Sequence, residues 1–127
     1  MSTEQLPFLA VGGREGVRGI VDRFYDLMDS SPAYSDLRAM HARDLTPMRS
    51  SLSSFLCGWL GGETDWFAAN PGKCMMSLHA RFPINATVAE QWTSAMWQAM
   101  ADCGVEEETA SRINDALGMM ASAMVRA

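Results

Sequence analysis

The sequence predicts an all-α domain, and three observations carry that prediction. Apolar residues recur three and four positions apart over several long stretches, the period of one helix face. No stretch alternates apolar and polar residues over a strand's length, and β-branched residues are few. Glycine and proline supply the only punctuation, with no linker, repeat or low-complexity tract between the helical stretches. The 127 residues read as one domain, 1–127, long enough to bury a core and too short to divide in two.

The first long helix follows Gly12-Gly13, with Val17, Ile20, Val21, Phe24 and Met28 on one face, and stops at Ser30-Ser31-Pro32. A shorter, less regular piece runs through Leu37 and Met40 to His41. Thr46 is predicted as an N-cap, with Pro47 at the first helical position, where a missing N–H is no loss. Met48, Leu52, Phe55, Leu56 and Trp59 form the apolar stripe of the helix so opened, and Gly61-Gly62 end it. Beyond Glu63 the signal weakens. Trp66-Phe67 suggest a helical turn, Asn70-Pro71-Gly72 a reverse turn, and Cys74 to His79 a short helix. Thr87 and Glu90 fit a capping box for a helix whose face carries Val88, Trp92, Ala95, Met96, Ala99 and Cys103, closed by Gly104. Glu106-Glu107-Glu108 place negative charge where a helix N-terminus favours it, and Ala110, Ile113, Leu117, Met120 and Met124 line the last helix.

Composition narrows the function classes. A net charge of −5 argues against nucleic acid or an anionic membrane as partner, since either needs a basic face. Met1-Ser2-Thr3-Glu4-Gln5 has no basic n-region, which predicts no secretory leader, and no apolar run approaches the roughly 20 residues of a membrane span. Cys57, Cys74 and Cys103 are odd in number and widely spaced, which predicts reduced thiols and a cytoplasmic location. Eleven methionines and four tryptophans suit soft packing against flat rings, and equally an ordinary core.

Few residues are equipped for chemistry. No cluster of His, Cys and carboxylates has zinc spacing, no Glu-x-x-His pair recurs as in di-iron bundles, and Gly12-Gly13 lacks the rest of a phosphate loop. No motif supports a serine or cysteine nucleophile. His79 stands out: it is one of two histidines, in Met75-Met76-Ser77-Leu78-His79-Ala80-Arg81-Phe82-Pro83-Ile84, between two helical patterns. A cofactor that brings four of its own ligands fits such scarcity, because haem asks the protein for one proximal imidazole and an apolar slot.

From about Val11 to the last helix the chain resembles the truncated haemoglobins, specifically group II, the small globins with helices packed two over two. Phe55-Leu56-Cys57-Gly58-Trp59-Leu60-Gly61-Gly62 is similar to that family's FLxGWLGG block. Val11-Gly12-Gly13 matches the Gly-Gly that opens its first core helix, and Arg23-Phe24-Tyr25-Asp26-Leu27-Met28 its RFY-type segment. His79, Phe82 and Ile84 match HxPFxI, with Trp92 at the family's spacing beyond the histidine.

The resemblance implies a globin-like fold, haem b (iron protoporphyrin IX) as cofactor, and reversible binding of O2 and other diatomic gases such as CO and NO. It implies His79 as the iron ligand and Tyr25, Trp92 and His41 as distal contacts to the gas. Met48 and Leu52 then lie over the ring on the distal helix, and Phe55, Trp66, Met75, Met76, Phe82 and Met96 form walls of the pocket. Three places depart from the family pattern. Met75-Met76-Ser77-Leu78 replaces a basic run before the histidine, Ser51 replaces a basic residue on the distal helix, and Arg81 replaces a proline. Lys73, Arg81 or Arg49 are left to meet the haem propionates. Two other functions compete: a redox enzyme acting on peroxide or nitric oxide in the same pocket, supported by a reductase, and a haem-free helical interaction module. Both a monomer and a homodimer fit the sequence.

Overall fold

The computed structural model describes residues 6–71, 79 and 82–125. Among these residues the helices are α1 (Pro7–Ala10), α2 (Gly13–Ser30), a 3-10 turn (Pro32–Tyr34), α3 (Ser35–Ala39), α4 (Thr46–Trp59), α5 (Asp65–Ala69), α6 (Ala86–Asp102) and α7 (Glu107–Ala123), and there is no strand. The short helix expected over Cys74 to His79 falls, but for His79, outside the described residues, as do Lys73, Met75, Met76 and Arg81. None of the described helices is long and apolar enough to cross a membrane.

Two layers form. Helix α2 packs on α4 and α6 packs on α7, while α2 also lies on α6 and joins the layers. This is the two-over-two helical sandwich that the sequence predicts. Helix α2 can serve both layers because its apolar arc is wide: Val17, Ile20, Val21, Phe24, Tyr25, Leu27 and Met28 are all buried. The turn over 103–106 folds α7 back on α6, and Ala110, Ile113 and Leu117 fill the space between them. Met120 and Met124 are only half-buried.

Two helix starts differ from expectation. Helix α4 begins at Thr46 itself, and the Asp44 carboxylate accepts the Thr46 N–H at 3.0 Å. That bond holds the Asp44 carboxyl below its ordinary pKa. Helix α6 is capped by Asn85, whose Oδ1 accepts the Val88 N–H at 2.9 Å, so Thr87 and Glu90 lie within the helix and make no capping box. Asn85 takes this role because its backbone is extended, with φ −107° and ψ 176°. At the other end α6 stops at Asp102, so Cys103 leaves the helical face and is exposed, and Met100 takes the inward position with 1% exposure.

Close backbone approaches fix the corners. The Phe8 N–H donates to the Leu60 carbonyl at 2.9 Å, and a Cβ on Gly62 would stand 2.5 Å from the Phe8 ring. Gly61 beside it has φ +103°, a left-handed conformation that glycine adopts without strain. The Gly61-Gly62 pair therefore ends α4 and seats α1 at once. At Gly16 a Cβ would run into the Val11 carbonyl oxygen, whereas at Gly19, three residues on along α2, it would meet nothing within 4 Å.

These two glycines give opposite expectations within one helix. Gly16→Ala should destabilise the fold by about 2–4 kcal/mol, because backbone has to move. Gly19→Ala should stabilise it by about 0.5–1 kcal/mol through helix propensity. Urea unfolding midpoints of the two variants check this, and equal shifts would contradict the packing described at Val11.

Candidate functional site

Phe24 is the centre of an aromatic group drawn from three parts of the chain. It sits on the buried face of α2 with no exposed surface. Its ring meets Tyr25 edge-on at 4.9 Å between centroids, and Trp92 of α6 edge-on at 5.4 Å. Tyr25 in turn meets the ring of His41, just beyond α3, edge-on at 5.9 Å. Edge-to-face pairs at such spacings add to simple burial, because the positive edge of one ring faces the negative face of the next.

The polar atoms of this group are in defined states. Tyr25 is 2% exposed, and burial pushes its phenol up to about 12 while Arg49 opposes the rise. The hydroxyl is therefore a neutral donor at ordinary pH. His41 Nδ1 lies 2.8 Å from the Leu37 carbonyl oxygen. A carbonyl only accepts, so this bond puts the proton on Nδ1 and leaves a lone pair on Nε2 in the neutral ring. Burial holds the His41 pKa below its ordinary value; the Leu37 bond pulls the other way, and Arg38 and His79 add to the fall. His79 is half-buried and has the Phe82 ring at 6.1 Å between centroids.

The remaining predicted residues divide among other surroundings. Phe55 and Trp66 are buried and meet edge-on at 5.1 Å, joining α4 to α5, with Phe67 against both. On α4, Leu52 is half-buried against the core and Met48 is 39% exposed; Phe82 is 42% exposed. Met96 does not join the Phe24 group by any ring contact. It lines an apolar crevice where the four long helices meet, with Val17, Ile20, Leu56, Met100, Ile113 and Leu117. Met76 lies outside the described residues. A separate polar groove of about 240 Å³ runs between α2 and α4, lined by Arg14, Arg18, Ser50, Ser53, Ser54, Cys57, Glu63 and Asp65, and none of the predicted site residues lines it.

Two members of the site go unnoticed in the sequence as anything more than core or a propionate candidate. Phe24 has helical spacing, which signals burial and not its ring neighbours. Arg49 donates from Nη1 to the Asp22 carbonyl at 3.0 Å and to Asp22 Oδ1 at 3.2 Å, and from Nη2 to Asp26 Oδ1 at 2.8 Å. Its guanidinium is thus held by α2. Its carbon Cζ lies 5.8 Å from the centroid of the Tyr25 ring.

Comparison with known proteins accords with this geometry. The sequence matches the bacterial-like globin family over residues 7–126. A group 2 truncated haemoglobin of Bacillus subtilis is 30% identical over 119 residues, covering 94% of this chain and 87% of that protein. A group II 2-on-2 haemoglobin from the plant pathogen Agrobacterium tumefaciens superposes with a TM-score of 0.92 at 26% identity, over 98% of this chain and 97% of that one. A truncated oxygen-avid haemoglobin from Bacillus subtilis superposes with a TM-score of 0.85 at 29% identity, over 96% of this chain and all of that one (100%). The chain belongs to the bacterial-like globins and, among them, to the group II truncated haemoglobins.

The lowered pKa of His41 has a consequence for stability. The fold favours the neutral ring, so the unfolded chain takes up a proton first as pH falls through the ordinary value of 6.5. The contribution is complete above that value and is lost below it, until the folded ring also protonates. Unfolding free energy from urea titrations should therefore fall as pH drops from 7 toward 5, and His41→Gln should flatten that slope. An unchanged slope would place the proton uptake elsewhere.

Proposed function

We propose that this protein is a haem-binding globin that reversibly binds O2, with His79 as the iron ligand and Tyr25 and Trp92 as distal donors. The observation that carries the proposal is the packing of Tyr25 and Trp92 edge-on against Phe24, with His41 against Tyr25, in a chain of the globin family. The donor set suits the cofactor: a half-buried imidazole, a phenol that burial keeps protonated, an indole, and apolar neighbours besides the Arg49 guanidinium at Tyr25. When bound, haem would supply an iron, held by one protein imidazole, that takes up a diatomic gas reversibly.

The residues then have separable tasks. His79 would hold the metal. Tyr25 and Trp92 would donate hydrogen bonds to a bound diatomic ligand, and in a dry site such bonds are stronger than in water. Neutral His41 takes a different part from the donor role its position suggests. With its proton directed to Leu37, its Nε2 accepts rather than donates, so in this tautomer it is not a third donor to the gas. Leu52, Met48, Phe55, Trp66, Phe82 and Met76 would provide apolar cover, whereas Met96 supports α6 from the four-helix core. Arg49 is engaged with Asp22 and Asp26, so the propionates fall to Lys73 or Arg81. The oxygen-avid relative from Bacillus subtilis supports the choice of O2 over the other diatomic gases. On this reading the cofactor is haem b and the protein works in the cytoplasm.

Absorption spectra of the purified protein, ferric, ferrous and with CO, provide the test. A Soret band that His79→Ala abolishes is expected; protein that stays colourless after haem addition would refute the proposal. Loss of a buried hydrogen bond of about 1–3 kcal/mol corresponds to roughly tenfold or more in rate. Tyr25→Phe and Trp92→Phe should each accelerate O2 release by about that factor in stopped-flow displacement, and unchanged rates in both would remove them as donors.

A further inference from the structure

Arg49 is buried on its side chain to an unusual degree for a cation, with 19% exposure, and it spans the seam between the two helices of one layer. From α4 it makes three hydrogen bonds to α2, one to the Asp22 backbone and two to the carboxylates of Asp22 and Asp26. Those bonds fix where the guanidinium stands. It stands 5.8 Å from the centre of the Tyr25 ring, within the range at which a cation and an aromatic ring interact. The anchoring groups flank Tyr25 on α2, at positions 22 and 26, so one side chain both ties the helices together and places positive charge at the phenol.

We propose that Arg49 is a positioning residue that sets the hydrogen-bond donor strength of the Tyr25 hydroxyl, by holding a cation at its ring while pinning α4 to α2. A cation near a phenol draws electron density from its oxygen and strengthens the O–H as a donor. The charged and titratable groups around Tyr25 are Arg49 from α4, Asp22 and Asp26 from α2, and His41 beyond α3. Burial raises the phenol's pKa and Arg49 lowers it, which is the sign this arrangement requires. Asp22 and Asp26 oppose Arg49 by neutralising it. Asp22 also pairs with Arg18, whereas Asp26 meets Arg49 alone among the described ion pairs. The use to which the phenol is put, donation to O2, rests on the oxygen-binding reading above.

Two substitutions separate a charge effect from simple bracing. Arg49→Met removes the cation and the tie; Asp26→Asn loosens the tie but leaves the cation less neutralised. Fluorotyrosine incorporated in a Tyr34→Phe background leaves Tyr25 as the one titrating tyrosine, and its ionisation is followed by ultraviolet absorption. Arg49→Met should raise the ionisation midpoint and accelerate O2 release about two- to fivefold. Asp26→Asn should lower the midpoint and slow release. Midpoints that move in the same direction, or an Arg49→Met midpoint that does not move, reduce Arg49 to a brace and overturn the proposal. If Arg49→Met does not fold, Arg49→Gln, which removes the charge and keeps hydrogen-bonding groups, decides in its place: a raised midpoint upholds the proposal and an unmoved one overturns it. The titration needs no haem. Opposite shifts in a protein that takes up no haem would therefore refute the oxygen-binding reading and uphold the coupling of Arg49 to Tyr25.

Discussion

The contact of Phe24 with its neighbours is the point on which both the architecture and the site depend. Its ring lies where α2 leaves one layer and meets the other, and it touches Trp92 of α6 while standing edge-on to Tyr25 of its own helix. A helix that packs on both layers is buried on more than one side, and Phe24, with no exposed surface, is at the middle of the buried arc. The same ring that closes the sandwich thus sets the spacing of the Tyr25 and Trp92 rings. Stability and function are not separable at this position.

The polar chemistry around that ring follows from local neutralisation rather than from the chain's overall charge. The protein carries a net charge of −5, yet a cation stands 5.8 Å from the centre of the Tyr25 ring. A half-buried guanidinium is tolerable because two carboxylates and a carbonyl meet it with good geometry. His41 shows the complementary case. Its ring is kept neutral by burial, and a single backbone carbonyl chooses which nitrogen carries the proton.

Periodicity made the long helices and most of their inward faces legible: Val17 to Met28 on α2, Val88, Ala95, Met96 and Ala99 on α6, and Ala110, Ile113 and Leu117 on α7 are buried as their spacing requires, while Trp92 is half-buried. Helix starts were not legible to the residue. Asn85 and Thr87 are both acceptable caps by type, and the choice rests on which one has extended backbone, a property that hydrophobic spacing does not register. The ring group was legible through motif and spacing for Tyr25 and Trp92, while Phe24 read only as core. Arg49 was beyond reach for a plainer reason. Its partners lie 23 and 27 positions away on another helix, and nothing local in the sequence brings them together.

The seat of α1 on the end of α4 also constrains how such a chain can diverge. The Phe8 ring occupies the volume that any side chain at position 62 would need, while its N–H holds the Leu60 carbonyl. Neither position is free to vary alone: a methyl group at 62 requires a smaller residue at 8, and a smaller residue at 8 leaves a void that glycine does not fill. Across related sequences the two positions should therefore change together, as a compensating pair, although more than fifty residues separate them along the chain.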